Sequence, residues 1–222
     1  MSPTVLPLVT ITATKKYDLI YIDPPWSYTN FGTASASSHY GLMTQTDICN
    51  MDLKSILNKD GMVLVWATGP RLDYAMEAIK CWGLHYRGVA FVWVKTRKDG
   101  GVINGQGVPP TFTKPMAEFV LCATTKKAGR PIKLQKFNTP QIVMAPREGH
   151  STKPQVFRQH IEATLTPNIS KLEIFARTLV STWDCIGNGV TGEDVNVSIG
   201  KLNGSISCIP PQQPTSVTTT GQ

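Results

Sequence analysis

Residues 17–26 read Tyr-Asp-Leu-Ile-Tyr-Ile-Asp-Pro-Pro-Trp, and the stretch 19–22 is unbroken apolar and aromatic. A run without polar alternation marks a strand buried on both faces, as in a parallel sheet. It stops at Asp23, and Pro24 and Pro25 cannot donate ladder hydrogen bonds, so the strand ends there. Similar apolar or β-branched stretches recur at 62–67, 84–95, 117–124, 141–145, 172–175 and 183–186, with a short edge strand expected near 8–12. Helical spacing separates several of them. Thr46 reads as an N-cap, with Ile48, Met51, Ile56 and Leu57 on one face and Asp60-Gly61 as the stop. Residues 71–81 turn Leu72, Ala75, Met76 and Ile79 inward, and Pro154 reads as the first position of a helix carrying Val156, Ile161 and Leu165. This alternation predicts an α/β fold: a Rossmann-like sandwich with a mostly parallel sheet and helices on both faces. Residues 1–204 are expected to form one domain. From 205 to 222 the composition turns to Pro, Gln, Thr and Ser, and a disordered tail is expected.

In open α/β sheets, ligands bind at the carboxyl edge of the strands, where Asp23 is left. Its carboxylate, the Asp23 and Pro24 carbonyls and the flat face of Trp26 together suit a planar base presenting an exocyclic amino group. Two long aperiodic stretches follow. Residues 27–45 are rich in Ser, Thr and Gly and carry Tyr28, His39 and Tyr40, which could stack on bases. Residues 96–115 are rich in Gly and Pro, and Lys95, Arg97, Lys98 and Lys114 bracket them, as a segment touching a phosphate backbone would require.

Composition sharpens this reading. The 222 residues are 41% hydrophobic, enough for one α/β core. A net charge of +7 and a pI near 9.2 suit a nucleic-acid partner. The five cysteines form no Cys-x-x-Cys pair, so no metal site or disulfide framework is expected, and a reducing cytoplasm fits. No apolar run suits a membrane span, and no signal peptide is read at the N-terminus. Gly-x-Gly-x-x-Gly is absent after the first strand, which argues against ordinary dinucleotide binding.

A second constellation lies at 145–154, Ala-Pro-Arg-Glu-Gly-His-Ser-Thr-Lys-Pro, where Arg147, His150, Ser151 and Lys153 precede a helix start. Such a cluster favours anions. Then come Lys-Leu-Glu-Ile-Phe-Ala-Arg at 171–177 and Thr-Trp-Asp-Cys-Ile-Gly-Asn at 182–188. With Asp23-Pro24-Pro25-Trp26, these ordered motifs resemble the MT-A70 family of N6-adenine methyltransferases over residues 17–190, in the compact prokaryotic or phage form. His39, Tyr40 and Met43 also match a family pattern. Thr182 stands where the family has Gly. Gly189 follows Asn188 where an acidic or amide residue is common, which bears on one ribose or adenine contact.

The resemblance implies a catalytic motif that precedes the cofactor motifs. Asp23, Pro24, Pro25 and Trp26 would bind the target amino group. S-adenosylmethionine would be held by Asp23, Arg147, His150, Ser151, Lys153 and Asn188, with Lys114 as the nearest candidate for a further lysine contact. Tyr28, His39, Tyr40, Lys95, Arg97 and Lys98 would meet the substrate. The expected reaction is direct methyl transfer to adenine N6 in DNA. RNA is the alternative substrate, and a non-catalytic nucleic-acid-binding subunit is the alternative from another class. A homodimer or a partner subunit is compatible with either.

Overall fold

The computed structural model describes residues 15–27, 43–103, 113–129, 132, 134–136, 138–147, 149 and 152–205. Seven strands form one sheet: β1 (Tyr17–Ile22), β2 (Leu57–Thr68), β3 (His85–Thr96), β4 (Ala117–Thr124), β5 (Ile142–Pro146), β6 (Lys171–Ile174) and β7 (Asp184–Ile186). Their order is β5-β3-β4-β2-β1-β6-β7. β4 runs antiparallel to both β2 and β3, and every other pair is parallel. The mostly parallel, Rossmann-like sheet expected from the sequence is therefore present, with one reversed strand inside it.

The helices are α1 (Gln45–Cys49), α2 (Leu72–Cys81), α3 (Val156–Thr164), α4 (Asn188–Thr191) and α5 (Val195–Leu202). Strand period decides which side chains meet which helix. Ile20, Ile22, Val63 and Val65 share a buried cluster with Ile48 of α1, Ala75 and Ile79 of α2, and Val195 and Ile199 of α5. Leu19, Tyr21, Leu64 and Trp66 join Phe91, Trp93 and Val120 beneath Phe157 and Ile161 of α3. That second face is aromatic. Trp66 meets Phe157 edge-on at 4.9 Å and Trp93 at 6.1 Å, an arrangement the ring quadrupoles favour.

Several boundaries differ from expectation. The cap of α1 is Thr44, not Thr46: the Thr44 hydroxyl accepts from the Asp47 N–H at 3.1 Å, and the Thr44 N–H donates to the Asp47 carboxylate at 3.0 Å. This reciprocal pair satisfies two orphan donors. After α1 the chain makes one 3-10 turn at Leu53–Ile56, and β2 begins at Leu57, well before 62. Tyr17 pairs with Leu57 but Leu19 pairs with Met62, so the intervening residues bulge out of register. The bulge is held by Thr125, whose N–H donates to the Gly61 carbonyl at 3.1 Å and whose hydroxyl donates to the Lys59 carbonyl at 2.6 Å.

Pro154 precedes the cap residue Gln155 of α3, so the helix starts two residues later than expected. The segment after β3 is not all loop. Thr96 bridges Val102, and the Arg97 N–H donates to the Gly101 carbonyl at 2.7 Å, forming a hairpin tip. α5 is an element to which the sequence reading assigned no structure. The expected edge strand at 8–12 and the tail beyond 205 lie outside the described residues.

Candidate active site

β1 lies between β2 and β6, with Ile22 opposite Val65 and Ile174. Asp23 therefore emerges at the carboxyl edge, flanked by parallel strands on both sides. The prolines turn the chain at once. The Trp26 N–H donates to the Pro24 carbonyl at 2.8 Å, so that carbonyl already holds one hydrogen bond. Trp26 is 5% exposed and its indole N–H donates to the Trp66 carbonyl at 3.0 Å. The indole, expected to lend a flat face to a base, is thus anchored in the core by its N–H. Arg71, at the end of the 3-10 turn Gly69–Arg71 that follows β2, adds a second anchor by donating from Nε to the Ser27 carbonyl at 2.7 Å.

Because β4 is reversed, its beginning lands at the same edge as the ends of its neighbours. Glu118 stands opposite both Thr68 and Trp93. Lys95 comes to this edge from β3, and Lys153 from the segment leading into α3. The four charges alternate. Lys153 Nζ lies 2.9 Å from Asp23 Oδ2 and 3.2 Å from Glu118 Oε2, and Lys95 Nζ lies 2.6 Å from Glu118 Oε1. The Lys153 ammonium also sits 5.2 Å from the centre of the Trp66 ring, a cation–π contact.

Burial is the largest influence on Asp23, Glu118 and Lys153. It raises the Asp23 carboxyl above the usual carboxylate range, Lys153 pulling it back only in part. Burial also penalises the Glu118 charge, but the two ammonium groups outweigh it and hold Glu118 low. Burial disfavours the Lys153 charge as well, yet Asp23 and Glu118 together keep it firmly protonated. The site thus combines a partly buried acceptor at a strand end with a cation locked beside it.

The neighbouring turns are tightly built. Phe175, just past β6, takes a left-handed φ of 62°, a conformation costly for an aromatic residue. The turn it makes packs against Gly187, where an added Cβ would lie 2.8 Å from the Ala176 backbone nitrogen and oxygen. Arg177, next in the chain, contributes a positive potential at Asp23. Thr182 and Trp183 both donate to Glu162 Oε1, at 2.6 and 2.8 Å, which ties the β6–β7 connection to α3.

The remaining expected site residues fall as follows. Asn188 opens α4 at the end of β7 with an exposed side chain, and Arg147 is exposed just past β5. Lys114 is exposed ahead of β4, apart from the charge cluster. Lys95, expected to face phosphates, turns inward to Glu118. Arg97 is paired with Asp99 at 3.1 Å, which offsets its charge, while Lys98 is exposed. Tyr28, His39, Tyr40, His150 and Ser151 lie outside the described residues. Glu118 was not among the expected site residues, and the sequence signal that marks it is a carboxylate near the start of an otherwise apolar strand. Among the described residues no three His, Cys, Asp or Glu side chains form a group that could hold a metal ion, and no helix is long and apolar enough to cross a membrane.

The MT-A70 family model matches residues 17–189, which run from the first residue of β1 into α4 and take in all four charged residues. The chain belongs to the MT-A70 family. MT-A70 relatives include the Type II methyltransferase M.MunI of a Mycoplasma species, 30% identical over 82% of both chains. They also include the human N(6)-adenosine-methyltransferase catalytic subunit METTL3, 25% identical over 80% of this chain but only 29% of its own. A rice protein named as a probable MT-A70-like N(6)-adenosine-methyltransferase is 27% identical over 80% of this chain and 23% of its own. The fold is thus a Rossmann-like methyltransferase fold, and the chain is a member of a methyltransferase family.

Proposed function

We propose that this chain is an S-adenosylmethionine-dependent methyltransferase that modifies adenine N6 in DNA. The observation that carries the proposal is Asp23, a partly buried carboxylate leaving the interior strand β1 and paired at 2.9 Å with Lys153. The groups at the edge fit the cofactor by chemistry. Asp23 is an acceptor for an ammonium, Lys153 and Arg147 are cations for a carboxylate, and Asn188 can donate to or accept from a ribose hydroxyl. When bound, S-adenosylmethionine supplies a methyl group activated by its sulfonium.

The rest is the work of this chain. Adenine N6 is a weak nucleophile because its lone pair is delocalised into the ring. Asp23, as a carboxylate, accepts one N6–H and draws that lone pair back onto nitrogen. The second lone pair of the Pro24 carbonyl is available for the other N6–H. As nitrogen gains the methyl group it becomes cationic. The Asp23 charge offsets that development from a fixed position, and the surplus proton leaves to water. Trp26 and Arg71 hold the turn rigid, so no reorganisation is needed at the moment of transfer. In a duplex the base must first leave the stack, at about a few kcal/mol.

DNA is favoured by the relative that matches this chain along four-fifths of both lengths, a Type II methyltransferase. RNA is the second reading, favoured by the relatives named as N(6)-adenosine-methyltransferases, of which this chain spans less than a third. Labelled methyl transfer to matched DNA and RNA oligonucleotides, followed by nucleoside mass analysis, tests the proposal. N6-methyladenine in DNA is expected. Asp23→Asn should lower kcat by on the order of a hundredfold or more while the fold persists. Transfer at the wild-type rate by that variant would remove Asp23 from the mechanism, and label in RNA alone would overturn the substrate.

A further inference from the structure

Lys95 is the penultimate residue of β3, on an edge where a basic side chain would ordinarily serve the nucleic-acid backbone. Its geometry says otherwise. The side chain is only 19% exposed, its ammonium meets Glu118 at 2.6 Å, and it sits 5.2 Å from the centre of the Trp93 ring. Its backbone is fixed as well: the Lys95 N–H donates to the Met116 carbonyl at 3.0 Å, and its carbonyl accepts from the Ile103 N–H at 3.2 Å. Beyond Glu118 the contacts continue through Lys153 to Asp23.

We propose that Lys95 is a positioning residue for methyl transfer. Its ammonium occupies one oxygen of Glu118, so Lys153, held on the other oxygen, is presented to Asp23 and fixes that carboxylate. The proposal deepens the function stated above and rests on it. Lys153 is shared between two carboxylates, and the share left for Asp23 depends on how well Glu118 is satisfied elsewhere. Without Lys95, Glu118 pulls harder on Lys153 and repels Asp23 more strongly, and both effects disfavour the charged form of Asp23. Without the Glu118 charge, Lys153 belongs to Asp23 alone and the repulsion is gone, so both effects favour it. The groups acting on Asp23 are Lys153 from the segment before α3, Glu118 from β4, Arg177 after β6 and Tyr21 on β1. None of the others changes in either variant.

Opposite displacements from two neighbouring substitutions are a signature that general loosening does not produce. The full chain is compared as wild type, Lys95→Met, Lys95→Arg and Glu118→Gln. Two measurements are made: the pH profile of methyl transfer, and the titration of Asp23 followed by NMR with carbon-13 aspartate, Asp23→Asn assigning the signal. Lys95→Met should move the acid limb and the Asp23 titration to higher pH. It should lower kcat by roughly tenfold to a hundredfold, with KM for DNA and the salt slope of DNA binding unchanged. Glu118→Gln should move both to lower pH, and Lys95→Arg should restore the wild-type profile.

Displacement of both variants in one direction, or of neither, would overturn the proposal. So would a salt slope reduced by about one in Lys95→Met with the acid limb unmoved, which would make Lys95 a phosphate contact. A wild-type chain that transfers no methyl group defeats the function, whereas the NMR titration still reads the charge relay. If Lys95→Met does not fold, the Glu118→Gln displacement and the Lys95→Arg profile decide.

Discussion

Replacing Arg158 with Met should destabilise this protein more than almost any other single charge removal. Arg158 on α3 and Glu173 on β6 form a two-pronged pair, Nε to Oε2 at 2.7 Å and Nη2 to Oε1 at 2.6 Å. Glu173 is 7% exposed and stands opposite Tyr21 in the ladder, so it has no route to water when its partner goes. Breaking a buried pair from one side costs about 3–5 kcal/mol, because the stranded charge has lost its solvation and gained nothing. Against a total stability of about 5–15 kcal/mol, that is a large fraction. For a chain of this size it corresponds to a fall in Tm of roughly 6–20 °C. The assay is urea unfolding followed by circular dichroism, on Arg158→Met, Glu173→Met and the double variant. The double variant should recover most of the loss, because two apolar side chains of similar length fill the same space without an unpaired charge. Single losses under about 1 kcal/mol, or losses that simply add in the double variant, would refute the reasoning. On the proposed function the pair also bears on methyl transfer, since α3 follows directly on the segment that carries Lys153.

Further predictions concern the supports of the site. Gly187→Ala should cost about 1–3 kcal/mol, because its φ of 154° and the 2.8 Å approach to the Ala176 backbone leave no room for a Cβ; an unchanged urea midpoint would contradict this. Trp26→Phe removes the bond to the Trp66 carbonyl and should cost about 1–3 kcal/mol, read as a drop in Tm. Asp18 gives a pH-dependent test. Burial alone would raise its carboxyl, but donation from the Ser170 N–H at 2.9 Å, the Ser170 hydroxyl at 2.7 Å and Asn58 Nδ2 at 2.7 Å holds it below the usual range. A carboxyl lowered by folding contributes stability above its unfolded pKa and loses it as pH falls through its folded one. The gap in stability between wild type and Asp18→Asn should therefore be widest near neutrality and close toward acid, and a gap independent of pH would count against it.

Much of this architecture was legible in the chain because burial on two faces leaves few alternatives. β1 has no polar position between Leu19 and Ile22, and its end is enforced by two prolines. The start of β2 was hidden for the opposite reason. Asn58-Lys59-Asp60-Gly61 carries ordinary turn chemistry, and the chain does break register there, but Thr125 of the neighbouring segment ties the bulge down and the strand resumes. A local signal cannot report a partner so far along the sequence. The same holds at the site. Asp23 and Lys153 could be picked out by their motifs. Lys95 was picked out too, as a phosphate contact, but its pairing with Glu118 was not legible, because it follows from the direction of β4, a property of the sheet that neither residue carries. The anchoring of Trp26 was not legible either, because an aromatic beside a candidate site suits stacking and anchoring equally, and only the position of the Trp66 carbonyl reveals the anchor.

The reversed strand has a consequence for how such a protein can diversify. β3 ends and β4 begins at one edge, with Val94 opposite Ala117, so the chain between them leaves the sheet and returns to it at the same place. Its two ends are already stapled by the bond from the Lys95 N–H to the Met116 carbonyl. Residues can be added, removed or exchanged between those staples without moving a single ladder pair. They would still leave the sheet at the edge that carries Asp23. The sheet thereby acts as a socket and the insert as a cassette, through which, on the proposed function, target preference could be rewritten while Asp23, Glu118 and Lys153 stay in place.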